Sequence, residues 1–118
     1  MRWIVEYYKD DKGKEPVAEF LDSLATKVQA KAFRLLELLG EYGVLVKEPY
    51  TRQVKGKLRE LRLKDTEGNI RVFYFTFTGK RFVLLHAFIK KTLRTPKREM
   101  EIAENRMNDF ISQNRGKL

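Results

Sequence analysis

The sequence predicts an α+β domain: a helical hairpin packed on a mostly antiparallel sheet, followed by a C-terminal helix. Three observations carry that prediction. Runs of β-branched and aromatic residues at 3–8, 58–64, 70–78 and 82–89 are bounded by turn residues. Between the first two runs, and again after the last, apolar residues recur every three or four positions. No repeat, low-complexity tract or interdomain linker breaks residues 1–118, a length that suits one domain burying roughly two-thirds of its unfolded surface.

Taken in order, Trp3 to Tyr8 reads as a strand and Asp10 to Lys14 as a polar turn. Pro16 suits the first position of a helix whose stripe is Val17, Phe20, Leu21 and Leu24. Thr26 and Gln29 have capping-box spacing for a second helix, striped by Val28, Ala32, Leu35, Leu36 and Leu39 and ended by Gly40 or Gly43. These leucines are read as core. A loop with Pro49 and Gly56 as breakers leads to a strand over Leu58–Lys64. Residues 65–69 turn it into Ile70–Thr78, and Thr78-Gly79-Lys80 turns that into Phe82–Ile89. Thr95 is placed to cap the last helix with Pro96 at its first position; Met100, Ala103, Met107 and Phe110 form its buried stripe, and the polar tail from Ser112 is expected to fray. The predicted order is β-α-α-β-β-β-α.

Composition removes several functional classes. There is no cysteine, which excludes disulfides, thiolate catalysis and Cys-based zinc sites, and the single histidine, His86, excludes a multi-His metal centre. No apolar run approaches the ~18–20 residues of a membrane span, and the opening Met1-Arg2-Trp3-Ile4-Val5-Glu6 does not read as a signal peptide. The expectation is a small soluble cytoplasmic protein with no cofactor, no metal and no membrane partner.

Charge points to the partner. The net charge is +9, yet residues 52–98 alone carry fourteen Lys/Arg against three acids, while the first fifty residues hold eight basic and nine acidic. Cations interleaved with apolar residues on adjacent strands make a rigid cationic face, suited to a polyanion and above all to nucleic acid. A symmetric hairpin about the 65–69 turn sets Arg62 opposite Arg71, on the face that also holds Glu60 and Phe73. Opposed arginines cost stability unless something anionic lies between them. That anion is either Glu60, in a small surface ion cluster, or a phosphate held by paired guanidinium forks. One of Lys90 and Lys91 must share their face. A three-residue loop at Gly79 selects Lys91 and sends His86 to the opposite, helix-covered face; a two-residue Gly79-Lys80 turn reverses both. Mid-strand between Leu85 and Ala87, His86 is expected to be a hydrogen-bonded core histidine and not a catalytic one.

Several segments in this order resemble a known family. They are the opening strand with paired tyrosines, Pro16-Val17 with Phe20-Leu21-Asp22-Ser23-Leu24, Leu58-Arg59-Glu60-Leu61-Arg62, Ile70-Arg71-Val72-Phe73-Tyr74-Phe75, the run from Leu84 to Thr92, and Thr95-Pro96 with the helix after it. Together they resemble HigB-type toxins of the RelE/ParE superfamily of bacterial toxin–antitoxin systems, from Trp3 to about Arg106. The resemblance implies a RelE-like fold, cleavage of mRNA in the ribosomal decoding site, and neutralisation by a helix-turn-helix antitoxin. It places the catalytic residues at Glu60, Arg62, Arg71, Lys90 and Lys91. Lys55 and Lys57, with Arg59, Arg94 and Lys97, are then expected to grip RNA backbone. Some RelE relatives carry a lysine where this chain has Glu60 and a tyrosine near Met100; this chain has neither.

Metal-free RNA cleavage needs no protein nucleophile, because the substrate's own 2′-OH attacks the adjacent phosphorus. The protein supplies positioning, a base, an acid and cationic stabilisation of the phosphorane. On that scheme Glu60 is the base, Arg62 and Arg71 clamp the phosphate, and Lys91 or Lys90 serves the leaving oxygen. Two other classes fit the same charge: a non-catalytic RNA-binding module, and a ParE-like gyrase poison.

Overall fold

The computed structural model describes residues 2–65, 68–78 and 80–115. Its elements are β1 (Ile4–Tyr7), α1 (Pro16–Asp22), α2 (Thr26–Tyr42), a 3-10 turn (Gly43–Leu45), β2 (Thr51–Lys55), β3 (Leu58–Asp65), β4 (Gly68–Phe77), β5 (Arg81–Lys90) and α3 (Lys97–Gln113). The α+β class and the C-terminal helix agree with the sequence reading, and the order gains one strand. That strand, β2, has the sequence Thr-Arg-Gln-Val-Lys, with a single apolar residue, so it carries no hydrophobic signal. It exists because β3 offers its edge to it, and its polar side chains blunt the new edge in turn.

The five strands lie in the order β1-β5-β4-β3-β2. β1 runs parallel to β5, and every other pairing is antiparallel. Strand alternation divides the apolar side chains between two faces. On one face, Leu61, Ile70, Val72, Tyr74, Phe82 and Leu84 pack with Val17, Leu21, Val28, Leu35 and Leu39 of the α1–α2 hairpin. On the other, Leu58, Phe73, Phe75, Val83, Leu85 and Phe88 pack with Ala103 and Phe110 of α3. Each fully buried Leu or Phe in these layers contributes about 1.5–3 kcal/mol relative to exposure.

Helix ends differ from expectation in detail. Pro16 opens α1 as predicted. Thr26 is already the first residue of α2, behind Ala25 at the cap, so the capping box does not form; Gln29 Nε2 instead donates to the Asp22 carbonyl at 2.9 Å and ties the two helices. Pro96, not Thr95, is the cap residue of α3, and no side chain caps it. Gly43 ends α2 in the left-handed region, with φ +57°. A Cβ there would lie 2.0 Å from Trp3 Nε1, and the Trp3 ring stacks on Phe82 at 4.6 Å. α3 continues to Gln113, into the expected tail, of which 116–118 lie outside the described residues, as do Thr66, Glu67 and Gly79 of the predicted turns. Among the described residues no helix is long and apolar enough to cross a membrane.

Candidate functional site

The α3 face of the sheet is built in cross-strand rows. One row runs from Arg52 on β2 through Glu60 and Phe73 to His86 on β5; the next holds Arg62, Arg71 and Phe88; the last holds Lys64, Asn69 and Lys90. Residues directly opposite have Cβ atoms ≈ 4.5–5.5 Å apart, so the pairing alone gathers the charged side chains. Arg62 does face Arg71, in a register set by Asp65 pairing with Gly68, a tighter connection than the expected 65–69 turn. Ala103 and Phe110 of α3 cover the far half of this face and leave the charged end open.

Glu60 is the hinge of the cluster. Its Oε2 lies 3.6 Å from Arg62 Nε and 3.6 Å from Arg71 Nε. Glu60 and Arg71 are each 6% exposed, whereas the Arg62 side chain keeps 31%. At 3.6 Å these are ion pairs and not hydrogen bonds. Arg71 Nη1 donates to the Ile70 carbonyl at 3.4 Å, and among the described residues its buried Nε has no hydrogen-bond partner. Burial lowers the Arg71 pKa from its ordinary value; Glu60 opposes this and Arg62 adds to it. Among the described residues two guanidiniums thus share one carboxylate, and the Arg71 Nε is enclosed with its N–H unused.

Which lysine joins them is set by a bulge. Phe77 pairs with Arg81, leaving three residues between the strands, the spacing that selects Lys91. Between Phe73 and Tyr74, however, the register shifts, with His86 opposite Phe73 and Leu84 opposite Tyr74. Leu85 is the extra residue, and a bulge of one residue reverses the parity of everything beyond it. Lys90 and His86 therefore share the Arg71 face, and exposed Lys91 follows the end of β5. α3 fixes the bulge: Arg106 Nη1 donates to the Leu85 carbonyl at 2.9 Å and lies 3.2 Å from His86 Nδ1.

His86 is hydrogen-bonded, as expected, but by α3 on the site's own face. Its Nε2 is 2.7 Å from Glu99 Oε1, and its ring stacks on Phe88 at 5.6 Å. Burial lowers its pKa, the Glu99 hydrogen bond opposes that, and the Arg106 charge lowers it further.

The other cations expected around the site divide. Lys55 lies on the α3 side and pairs with Glu104 at 3.3 Å. Lys57 is exposed in the β2–β3 turn, and Arg94 in the loop before α3. Lys97 is exposed at the start of α3, 3.9 Å from Glu101. Arg59 stands apart from the cluster. Strand alternation turns it to the α2 face, where Nε donates to Tyr74 OH and Nη2 to Thr51 Oγ1, both at 3.3 Å. Arg52 was missed because β2 was missed; it stands opposite Glu60 on the site face, exposed, 3.8 Å from Glu48.

The open end also continues into a groove of about 640 Å³ that reaches helix α2. Residues 19–108 match the model of a family described as phage-derived protein Gp49-like (DUF891), a span that includes every residue of the cluster. No curated protein matches the chain.

Proposed function

The chain belongs to the Gp49-like family of phage-derived proteins, a toxin-like family, and from that premise we propose that it is the toxin of a type II toxin–antitoxin pair, of the HigB type within the RelE/ParE superfamily. Its activity is endonucleolytic cleavage of mRNA, which stops translation. The observation that supports this most is Arg71, buried, with an unpartnered Nε, facing a second guanidinium across one shared carboxylate. An unmade hydrogen bond from a buried charged group costs about 1–3 kcal/mol or more, so such a group has a purpose that outweighs the loss. A phosphate beside Arg62 that draws the Arg71 side chain toward it supplies the missing acceptor.

The chemistry follows from the rows. The two guanidiniums bind the non-bridging oxygens of the scissile phosphate and stabilise the charge that grows on them; one such donor is worth about 10²–10³ in rate. As they turn to phosphate they release Glu60, whose present contacts to them are loose. Glu60 then takes the proton of the substrate's 2′-OH, and the 2′-oxygen attacks phosphorus. Lys90, in the adjacent row, donates a proton to the departing 5′-oxygen. The products are a 2′,3′-cyclic phosphate and a 5′-hydroxyl, with protons and charge balanced. The ribosome-bound message is the substrate, and a helix-turn-helix antitoxin the partner.

Wild-type and Arg71→Ala proteins should be induced in bacteria, with new 5′ ends mapped on transcripts and plasmid supercoiling followed in parallel. Cuts within translated codons are expected for wild type and none for a folded Arg71→Ala. Intact transcripts with altered supercoiling would instead assign the toxin to gyrase. Intact transcripts with salt-dependent RNA binding would make it a non-catalytic binder.

A further inference from the structure

The groove at the open end of the sheet exists because β2 is short. Its first residue, Thr51, pairs with Leu61, and the last inter-strand bond on that side runs from Arg62 N to the Tyr50 carbonyl at 2.8 Å. Among the described residues, β3 beyond Arg62 has no strand on its outer side. The α2 face and the arginine face therefore meet around a bare edge. Leu35, Leu38 and Leu63 give the groove an apolar lining, together with Pro49 and Tyr50. Arg62 and Arg71 stand at one end, with Arg34 and Lys64 along the rim. Five cations and no acid line it.

We propose that this groove is a nucleobase subsite, taking the base of the nucleotide next to the phosphate held by Arg62 and Arg71. The inference rests on the nuclease reading and adds the place where sequence preference arises. Four features select a nucleotide. A lining with Arg34 and Lys64 beside the arginine pair gives the groove a positive potential that suits an anionic occupant. The Tyr50 side, 51% exposed, offers a flat ring to a planar base, and base–aromatic stacking is the sequence-tolerant part of single-strand binding. Asn69, between Lys64 and Lys90 in its row, lines the groove with an amide that both donates and accepts, the chemistry that reads a base edge. Finally, Arg62 and Arg71 themselves line the groove, so a nucleotide whose phosphate they hold has its neighbour within the same groove. An acidic peptide would satisfy the rim but would leave the ring and the amide without a matching plane and edge.

Two measurements test the subsite. The first maps cut sites in cells for wild type, Tyr50→Ala, Asn69→Ala and, as a control outside the groove, Tyr42→Ala. The second measures binding of a short single-stranded RNA carrying 2′-deoxy at the cleavage position, which cannot be cut. Wild type should prefer certain bases at one position beside the cut. Asn69→Ala should flatten that preference while cutting continues. Tyr50→Ala should weaken oligonucleotide binding about tenfold or more, and Tyr42→Ala should change neither. If wild type cuts and both groove variants keep its preference and affinity, the subsite is overturned while the nuclease reading stands. If wild type does not cut, that reading fails, and the binding measurement alone decides the groove. Variants that keep RNA affinity but lose an acidic protein partner would make the groove a peptide site and overturn the proposal.

Discussion

Arg62 and Arg71 stand directly opposite each other on neighbouring strands, and the same Glu60 oxygen lies 3.6 Å from the Nε of each. Among the described residues the cluster therefore sets two cations against one carboxylate. Glu60 keeps the two guanidiniums from repelling each other, and Arg71 is held in place with a donor unused.

Stability and activity should part at this cluster. Glu60→Ala leaves two facing cations, one buried, and should cost about 3–5 kcal/mol. Arg71→Met removes the buried guanidinium and its repulsion of Arg62 but leaves buried Glu60 with Arg62 as its remaining partner in the cluster, and should cost less than Glu60→Ala while RNA cleavage is lost. Urea melts compare the two. An Arg71→Met protein as unstable as Glu60→Ala would show that the pair is there for the fold.

How much of this was legible in sequence depends on the range of each cause. That a hairpin brings Arg62 and Arg71 together was legible from the two strand runs and the turn residues between them, but the register rests on Asp65 pairing with Gly68, inside the expected 65–69 turn. The helices were legible from their stripes. β2 was not, because its own side chains say nothing; its partner makes it a strand. Nor was the choice of Lys90, because the bulge at Leu85 is held by Arg106, twenty-one residues further along the chain. The groove was hidden for the same reason: Leu35, Tyr50 and Asn69 meet only after β2 stops short.

The two glycines near the end of α2 should respond in opposite directions. Gly40 lies inside the helix, and a Cβ there would meet its neighbours at 3.5 Å or more, an ordinary contact. Gly40→Ala should stabilise by about 0.5 kcal/mol. Gly43 combines positive φ with the Trp3 ring at 2.0 Å from a built Cβ, so Gly43→Ala should cost at least about 2 kcal/mol. Thermal melts of the two variants check both signs; equal effects would mean that Trp3 moves freely.

Acid should weaken the α3 docking through His86. Burial, followed by the opposing Glu99 hydrogen bond and the Arg106 charge, leaves its pKa below the ordinary 6.5. The folded state then binds fewer protons than the unfolded one, so stability is present above pH 6.5 and lost as pH falls through the lowered folded value. Melting temperatures from pH 8 to 5 should fall more steeply for wild type than for His86→Gln. Parallel profiles would remove His86 as the source.

At the other end of α3, Tyr8 OH donates to Asp109, joining the residue after β1 to the last helix. Burial first, then that bond and the Asp109 charge, push the Tyr8 pKa up to about 12. A raised acid keeps its proton in the folded state, so this contribution is present below pH 10 and lost as pH rises from 10 to about 12. Tyr8→Phe should cost about 1 kcal/mol at neutral pH, since Gln113 still donates to Asp109, and should flatten the alkaline loss. Circular dichroism from pH 9 to 12 reads the difference.

The bulge makes the sharpest distinction between neighbouring residues. Lys90 lies in the row beside Arg62 and Arg71 and is half-buried, while Lys91 is exposed beyond the strand. If Lys90 delivers the proton to the leaving 5′-oxygen, Lys90→Ala should slow cleavage about a hundredfold, and Lys91→Ala should lose no more than the fewfold expected of one phosphate-attracting charge. Arg106→Leu, which frees the Leu85 carbonyl, should resemble Lys90→Ala in rate although Arg106 is set back from the arginine pair, because it lets the register slip. Rates on one mapped transcript, with folding checked by melting, separate the three. A larger loss from Lys91→Ala than from Lys90→Ala would mean that the bulge is absent when RNA is bound.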